Sequence, residues 1–173
     1  MRVNCGHQLL LVMHITDIIT PDRVLVGLAG GSKKRVLEFF SKFIAQNMPS
    51  LDSGEVFANL VARERLGSTG IGHGVAIPHC RISHCQHAVG TFIKLRERVD
   101  FDSIDGDPVD LIFILLVPEH ACEEHLHTLA MLAKLFSDED MRRRLRQTDT
   151  NPALFELLST AIPAAMLPSE DNP

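Results

Sequence analysis

The chain has 173 residues, 45% of them hydrophobic, which is enough for one domain with a real core and no need of disulfides or metal. Its 17 basic and 22 acidic residues leave a formal net charge of −5, the reverse of the basic excess a general nucleic-acid binder carries. No apolar run approaches the ~20 residues of a membrane helix and Leu9–Met13 is too short for a signal sequence, so no membrane insertion and a cytoplasmic location are expected.

Residues 1–12 show no period and are predicted to be a weakly ordered extension, with Met13 an alternative start. A short helical turn near Ile15–Ile19 precedes a first strand at Arg23–Leu28. Gly30-Gly31 breaks the chain and Ser32 can cap the helix that follows. Val36, Leu37, Phe39, Phe40, Phe43 and Ile44 recur at helical spacing and predict an amphipathic helix over 33–46. A second helix runs from about Ser53 to Leu66 and ends at Gly67. Strands follow at Val75–Ile77, Ala88–Leu95 and Val109–Val117. The last of these is almost continuously apolar, as a central strand covered on both faces should be. The final third is helical: Glu123–Phe136 with Leu126 and Leu129 inward, a helix capped by Ser137, and one opened by Asn151-Pro152 that runs to about Ser159. Residues 163–173 read as a frayed tail. Strands interleaved with helices predict an α/β fold, a single domain with a mixed central sheet of about five strands and helices on both faces.

Gly67, Gly70, Gly72 and Gly74 crowd one segment, which implies close backbone approach or exposed N–H groups that can cradle an anion. The pattern is neither a Walker A loop nor Gly-x-Gly-x-x-Gly. It runs through a short strand and Pro78 to His79, a position stiffened by proline and expected just beyond a strand end, where ligands of such folds gather. A neutral imidazole is a good nucleophile toward phosphorus, and phosphoryl transfer demands mainly positioning and electrostatic stabilisation. Ser68 and Thr69 supply hydroxyls, and Arg63 can reach the loop from the preceding helix. Of the later histidines His120, His125 and His127, the last two point to different faces of a helix, and His125 is favoured because it stands near the helix start.

The segment Arg63-Glu64-Arg65-Leu66-Gly67-Ser68-Thr69-Gly70-Ile71-Gly72-His73-Gly74-Val75-Ala76-Ile77-Pro78-His79 closely resembles the active-site signature of the fructose/mannitol-type enzyme IIA proteins of the bacterial phosphoenolpyruvate-dependent phosphotransferase system. Within that family it looks most like the nitrogen-regulatory enzyme IIA. Phe101–Leu111 and His125-Leu126-His127-Thr128-Leu129 match as well, so the resemblance spans roughly residues 14–160. It implies a phosphocarrier domain over 13–162 in which His79 accepts a phosphoryl group from a phosphorylated HPr-type carrier, Arg63 and His125 assist, and Ser68, Thr69 and Gly70 lie at the phosphate. It implies no cofactor, and as partners the carrier and regulated target proteins. Phe101 and the helix surfaces are candidate contacts for a homodimer that nothing in the sequence requires. Cys80 stands where a glycine is common, and a thiol beside the nucleophile implies sensitivity to oxidation.

Three other readings compete. A sugar-transport enzyme IIA, passing phosphate to a IIB domain, would carry the same signature. A pure binding module would leave the histidine signature without a use. The cluster His79, Cys80, His84, Cys85 and His87 suggests metal, but its spacing matches no common Cys/His site, and no metal is expected. Cys5, Cys80, Cys85 and Cys122 are expected to be free thiols.

Overall fold

The apolar run 109–117 becomes β6 (Val109–Pro118), the strand on which the sheet is assembled. Successive side chains of a strand point to opposite faces. Ile112, Ile114 and Leu116 therefore enter one buried cluster, and Leu111, Phe113, Leu115 and Val117 enter another. The computed structural model describes residues 14–121 and 124–161, so the N-terminal extension and C-terminal tail read from the sequence, with Cys5 and Cys122, lie outside the described residues.

On one side of β6, β5 (Val89–Val99) pairs antiparallel, and β1 (Val24–Leu28) extends the sheet parallel to β5. On the other side β3 (Val75–Ala76) and β4 (His79–Ile82) both pair parallel with β6, and β2 (Gly70–Gly72) pairs antiparallel with β3. The sheet is mixed and six-stranded. Helices α1 (Lys33–Asn47) and α2 (Ser53–Leu66) cover one face. Helices α3 (Glu124–Ser137), α4 (Glu139–Gln147) and α5 (Asn151–Ser159) cover the other. This is the α/β architecture the sequence predicts, with one strand more than the expected five.

Two strands have no counterpart among the four located in the sequence: β2, from the glycine segment, and β4, which begins at His79. The predicted single strand 75–77 is the return arm of a hairpin, and the chain resumes pairing with β6 immediately after Pro78. Val75 faces Leu111, Ala76 faces Ile112 and His79 faces Leu115, so the register continues across Pro78 without a slip. Pro78 has no N–H to give, but its carbonyl accepts the Leu115 N–H at 2.9 Å. His79 is therefore the first residue of a strand, not a residue beyond a strand end.

Other boundaries move for local reasons. Ser32 caps α1 as read, accepting the Arg35 N–H at 3.2 Å, and Gly67 closes α2. Ser137 instead ends α3, and Asp138 caps α4 by accepting the Met141 N–H at 3.0 Å. Thr150, in extended conformation, caps α5, which leaves the Asn151 side chain to accept the Val26 N–H at 2.9 Å and tie α5 to β1. Arg23 belongs to a 3-10 turn ahead of β1, and the early helical turn is the 3-10 segment Ile15–Asp17. Leu126, expected inward, is 60% exposed because Thr128, Leu129 and Leu132 supply the inward face of α3. Phe101 is fully buried, so its ring cannot serve as a dimer contact. None of the described helices is long and apolar enough to cross a membrane.

Candidate functional site

β4 is held by α2 at three points. The Asn59 side chain donates to the Arg81 carbonyl at 3.0 Å, and Glu55 accepts both the N–H and the hydroxyl of Ser83. Cys80 and Ile82 point into the core beneath α1 and α2, so strand alternation turns His79 and Arg81 away from it. β4 has β6 as its partner in the sheet, and its outer edge leaves His79 within reach of both helical layers. Arg63 approaches from the last turn of α2. His125, in the first turn of α3, comes from the other layer, near enough that its charge acts on the His79 ring.

The two ring nitrogens of His79 are distinguished by their partners. Nδ1 lies 2.8 Å from the Ile77 carbonyl, which can only accept, so Nδ1 carries the proton. Nε2 is left with its lone pair, and the Nε–H of Arg63 points at it across 3.2 Å. The same guanidinium donates from Nη1 to the Gly67 carbonyl at 3.0 Å, which fixes its plane at the mouth of the loop. Burial pushes the His79 pKa below its ordinary value. The Arg63 and His125 charges add to that, against opposing contributions from the Ile77 carbonyl and Glu64. The ring is thus neutral, in one tautomer, with its nucleophilic nitrogen facing a fixed cation. That arrangement suits an acceptor of an anionic, electrophilic group.

The other sequence-derived site residues are placed differently. Ser68 donates its hydroxyl to the Phe101 carbonyl at 2.5 Å and accepts the Gly70 N–H at 3.0 Å. Thr69 is buried and donates its hydroxyl to Glu64 at 2.6 Å. The hydroxyls of Ser68 and Thr69 and the N–H groups of Thr69 and Gly70 are thus committed to building the loop, and Arg63 is the side chain hydrogen-bonded to the ring. His127 is exposed, as its helical offset from His125 requires.

Sequence reasoning passed over Glu64, whose carboxylate is almost fully buried and joins α2 to the loop and to Lys33. The available signal was an acidic residue between two arginines on a helix that must bury one face. It also passed over Ser103, against which Gly70 packs so closely that a Cβ at position 70 would lie 2.1 Å from the Ser103 hydroxyl.

Cys80 is buried and its thiol pKa is pushed up to about 12, by burial first and then by Glu55 and Cys85. The reactive species is the thiolate, so the oxidation sensitivity read from the sequence is corrected: this thiol is shielded and protonated. Cys80 and Cys85 are both free and buried, whereas His84 and His87 are exposed. Among the described residues no three His, Cys, Asp or Glu side chains gather in a way that could hold a metal ion.

Residues 17–161 match the family described as phosphoenolpyruvate-dependent sugar phosphotransferase system, EIIA 2. The chain is 50% identical over 147 residues to a nitrogen regulatory protein of Pseudomonas aeruginosa, covering 85% of this chain and 96% of that one. It superposes on the crystal structure of nitrogen regulatory protein IIA-Ntr from Neisseria meningitidis with a TM-score of 0.78 at 44% identity, covering 83% and 98% of the two chains. The mannitol IIA of Escherichia coli shares the fold, with a TM-score of 0.68 at 20% identity over 81% of this chain and 98% of that one. The chain belongs to the EIIA 2 family of the phosphoenolpyruvate-dependent sugar phosphotransferase system.

Proposed function

We propose that this protein is a phosphocarrier that accepts a phosphoryl group on Nε2 of His79 from a phosphorylated HPr-type protein, and that its phosphorylation state regulates other proteins in nitrogen, potassium or stress control. The observation that carries the reading is the pair of contacts on His79: Ile77 holds the proton on Nδ1 while Arg63 faces the lone pair on Nε2. In the transfer, the Nε2 lone pair forms a bond to phosphorus as the bond from phosphorus to the donor breaks, and that electron pair leaves with the donor. The proton stays on Nδ1, donated to the Ile77 carbonyl, so the ring needs no separate base. Arg63 and His125 then balance the charge on the phosphoryl oxygens.

A protein donor needs a docking face. Leu66, three residues beyond Arg63, is 85% exposed, and Leu126, beside His125, is 60% exposed. Apolar side chains so placed support docking of a macromolecule, not entry of a small substrate. The nitrogen-regulatory reading is favoured over sugar transport because the relatives at 50% and 44% identity carry the nitrogen-regulatory name, whereas the mannitol protein at 20% shares only the fold.

Incubation with phosphoenolpyruvate, enzyme I and an HPr-type carrier tests the proposal. The intact mass is expected to rise by one acid-labile phosphate in wild type and not in His79→Ala. No transfer to wild type overturns it. Capture of partners by the unphosphorylated and phosphorylated forms then tests the regulatory half, which fails if no protein distinguishes them.

A further inference from the structure

Arg63 and Glu64 are neighbours on α2, but about 100° of helical rotation separates them. Arg63 turns outward to His79 and Glu64 turns inward, where 6% of its side chain remains exposed. A carboxylate so buried is costly unless fully paired. Its oxygens accept the Thr69 N–H at 3.1 Å, the Thr69 hydroxyl at 2.6 Å and the Lys33 ammonium at 3.2 Å. Lys33 is itself anchored on Asp102 at 2.9 Å and on the Phe101 carbonyl at 3.4 Å. The Phe101 carbonyl also receives the Ser68 hydroxyl.

What Thr69 does next links this network to the reacting ring. Its carbonyl accepts the Ile77 N–H at 3.0 Å, and the Ile77 carbonyl accepts Nδ1–H of His79 at 2.8 Å. Pro78 has no N–H, so between Ala76 and His79 the Ile77 N–H is the one backbone donor, and it is spent on Thr69. The coupling is mechanical. The N–H and C=O groups of Thr69 belong to different peptide units, so polarisation does not pass straight through, but holding Thr69 holds Ile77, and Ile77 holds the ring.

We propose that Glu64 is a positioning residue: by clamping Thr69 it sets the Ile77 carbonyl that selects the Nδ1–H tautomer of His79 and so presents Nε2 to the phosphoryl donor. The kinetic part of this rests on His79 being the phosphoryl acceptor; the tautomer part does not.

Two conservative variants separate reach from charge. Glu64→Gln keeps the length of the side chain and can satisfy both Thr69 groups, with its carbonyl oxygen on the N–H and its amide on the hydroxyl. Glu64→Asp keeps the charge but is one methylene too short. The first readout is the 15N spectrum of the His79 imidazole, which reports the tautomer with no donor present. Glu64→Gln is expected to retain Nδ1–H, and Glu64→Asp to give a mixture of tautomers. The second readout is phosphoryl acceptance, where Glu64→Asp should lower the rate at saturating carrier by on the order of 10–100-fold, with the carrier concentration for half-saturation unchanged. A wild-type tautomer in Glu64→Asp, or a mixture in a folded Glu64→Gln, overturns the inference. Should Glu64→Asp not fold, Thr69→Val, which deletes one of the two Thr69 donors, takes its place under the same spectral criterion. If wild type accepts no phosphate, the phosphocarrier reading falls while the spectrum still decides the role of Glu64.

Discussion

Arg63 donates to Nε2 of His79 across 3.2 Å while its Nη1 is tied to the Gly67 carbonyl. A planar fork does both at once, and a lysine ammonium at the same position would lack the second, fixed contact. Arg63→Ala is expected to slow phosphoryl acceptance on the order of 10²-fold, the cost of losing one preorganised donor at a developing anion. Arg63→Lys should recover little of it. Single-turnover transfer from a phosphorylated HPr-type carrier measures both, with thermal melting to confirm that each variant is folded.

The His79 ring titrates below its ordinary value. The folded state therefore disfavours protonation of this ring. Its contribution to stability is complete above the unfolded imidazole value of about 6.5 and is lost as pH falls through the lower folded value. Phosphoryl acceptance should accordingly persist below pH 6.5 and fail only at the depressed value, since the neutral ring is the nucleophile. Arg63→Ala removes one of the lowering influences and should move the midpoint upward. An NMR titration of His79 beside a pH–rate profile checks this, and a midpoint at or above the free imidazole value contradicts it.

For Cys80 the expectation is inertness. A thiol pushed up to about 12 and buried under α2 should resist alkylation in the native protein at pH 8 and react fully in denaturant. Mass spectrometry after iodoacetamide treatment reads the difference. Peroxide should likewise leave phosphoryl acceptance equal in wild type and Cys80→Ala.

Gly70 has no room for a methyl group. The added Cβ would meet the Ser103 hydroxyl at 2.1 Å and the Ser103 Cα at 3.1 Å. Gly70→Ala should cost about 1–3 kcal/mol of stability, the range for overpacking a close contact. Adding Ser103→Gly should restore part of this by removing the nearer obstacle. Denaturant unfolding of the two variants gives the comparison.

β6 could be read because seven apolar residues in a row, Leu111–Val117, are stopped by Pro118 at the length of a strand, and all seven prove buried. α1 could be read from the period of Val36, Leu37, Phe40 and Ile44. β4 could not, because His79-Cys80-Arg81-Ile82 is too short and mixed to show a period, and its strand character comes from pairing with β6 across a proline. The reach of Arg63 to the loop followed from helical spacing. The inward turn of Ser68 and Thr69 did not, since hydroxyls beside a phosphate site and hydroxyls bracing a loop look alike until Glu64 and Phe101 are placed. Leu126 was misplaced for a similar reason: one helix presents apolar residues to both the core and the solvent.

The unbroken register that carries β3 across Pro78 into β4 has a consequence for how a message could leave this protein. His79 is mounted on β4, not on a hinge, and its rung partner is Leu115 of β6, the long strand buried along almost its whole length. Such a mount resists translation into backbone movement. A phosphoryl group there would repaint the face with about −1.5 to −2 charges while leaving its contours alone. A partner would then tell the two states apart as a voltmeter does, by potential, and its own docking surface would have to carry the charges that make the reading.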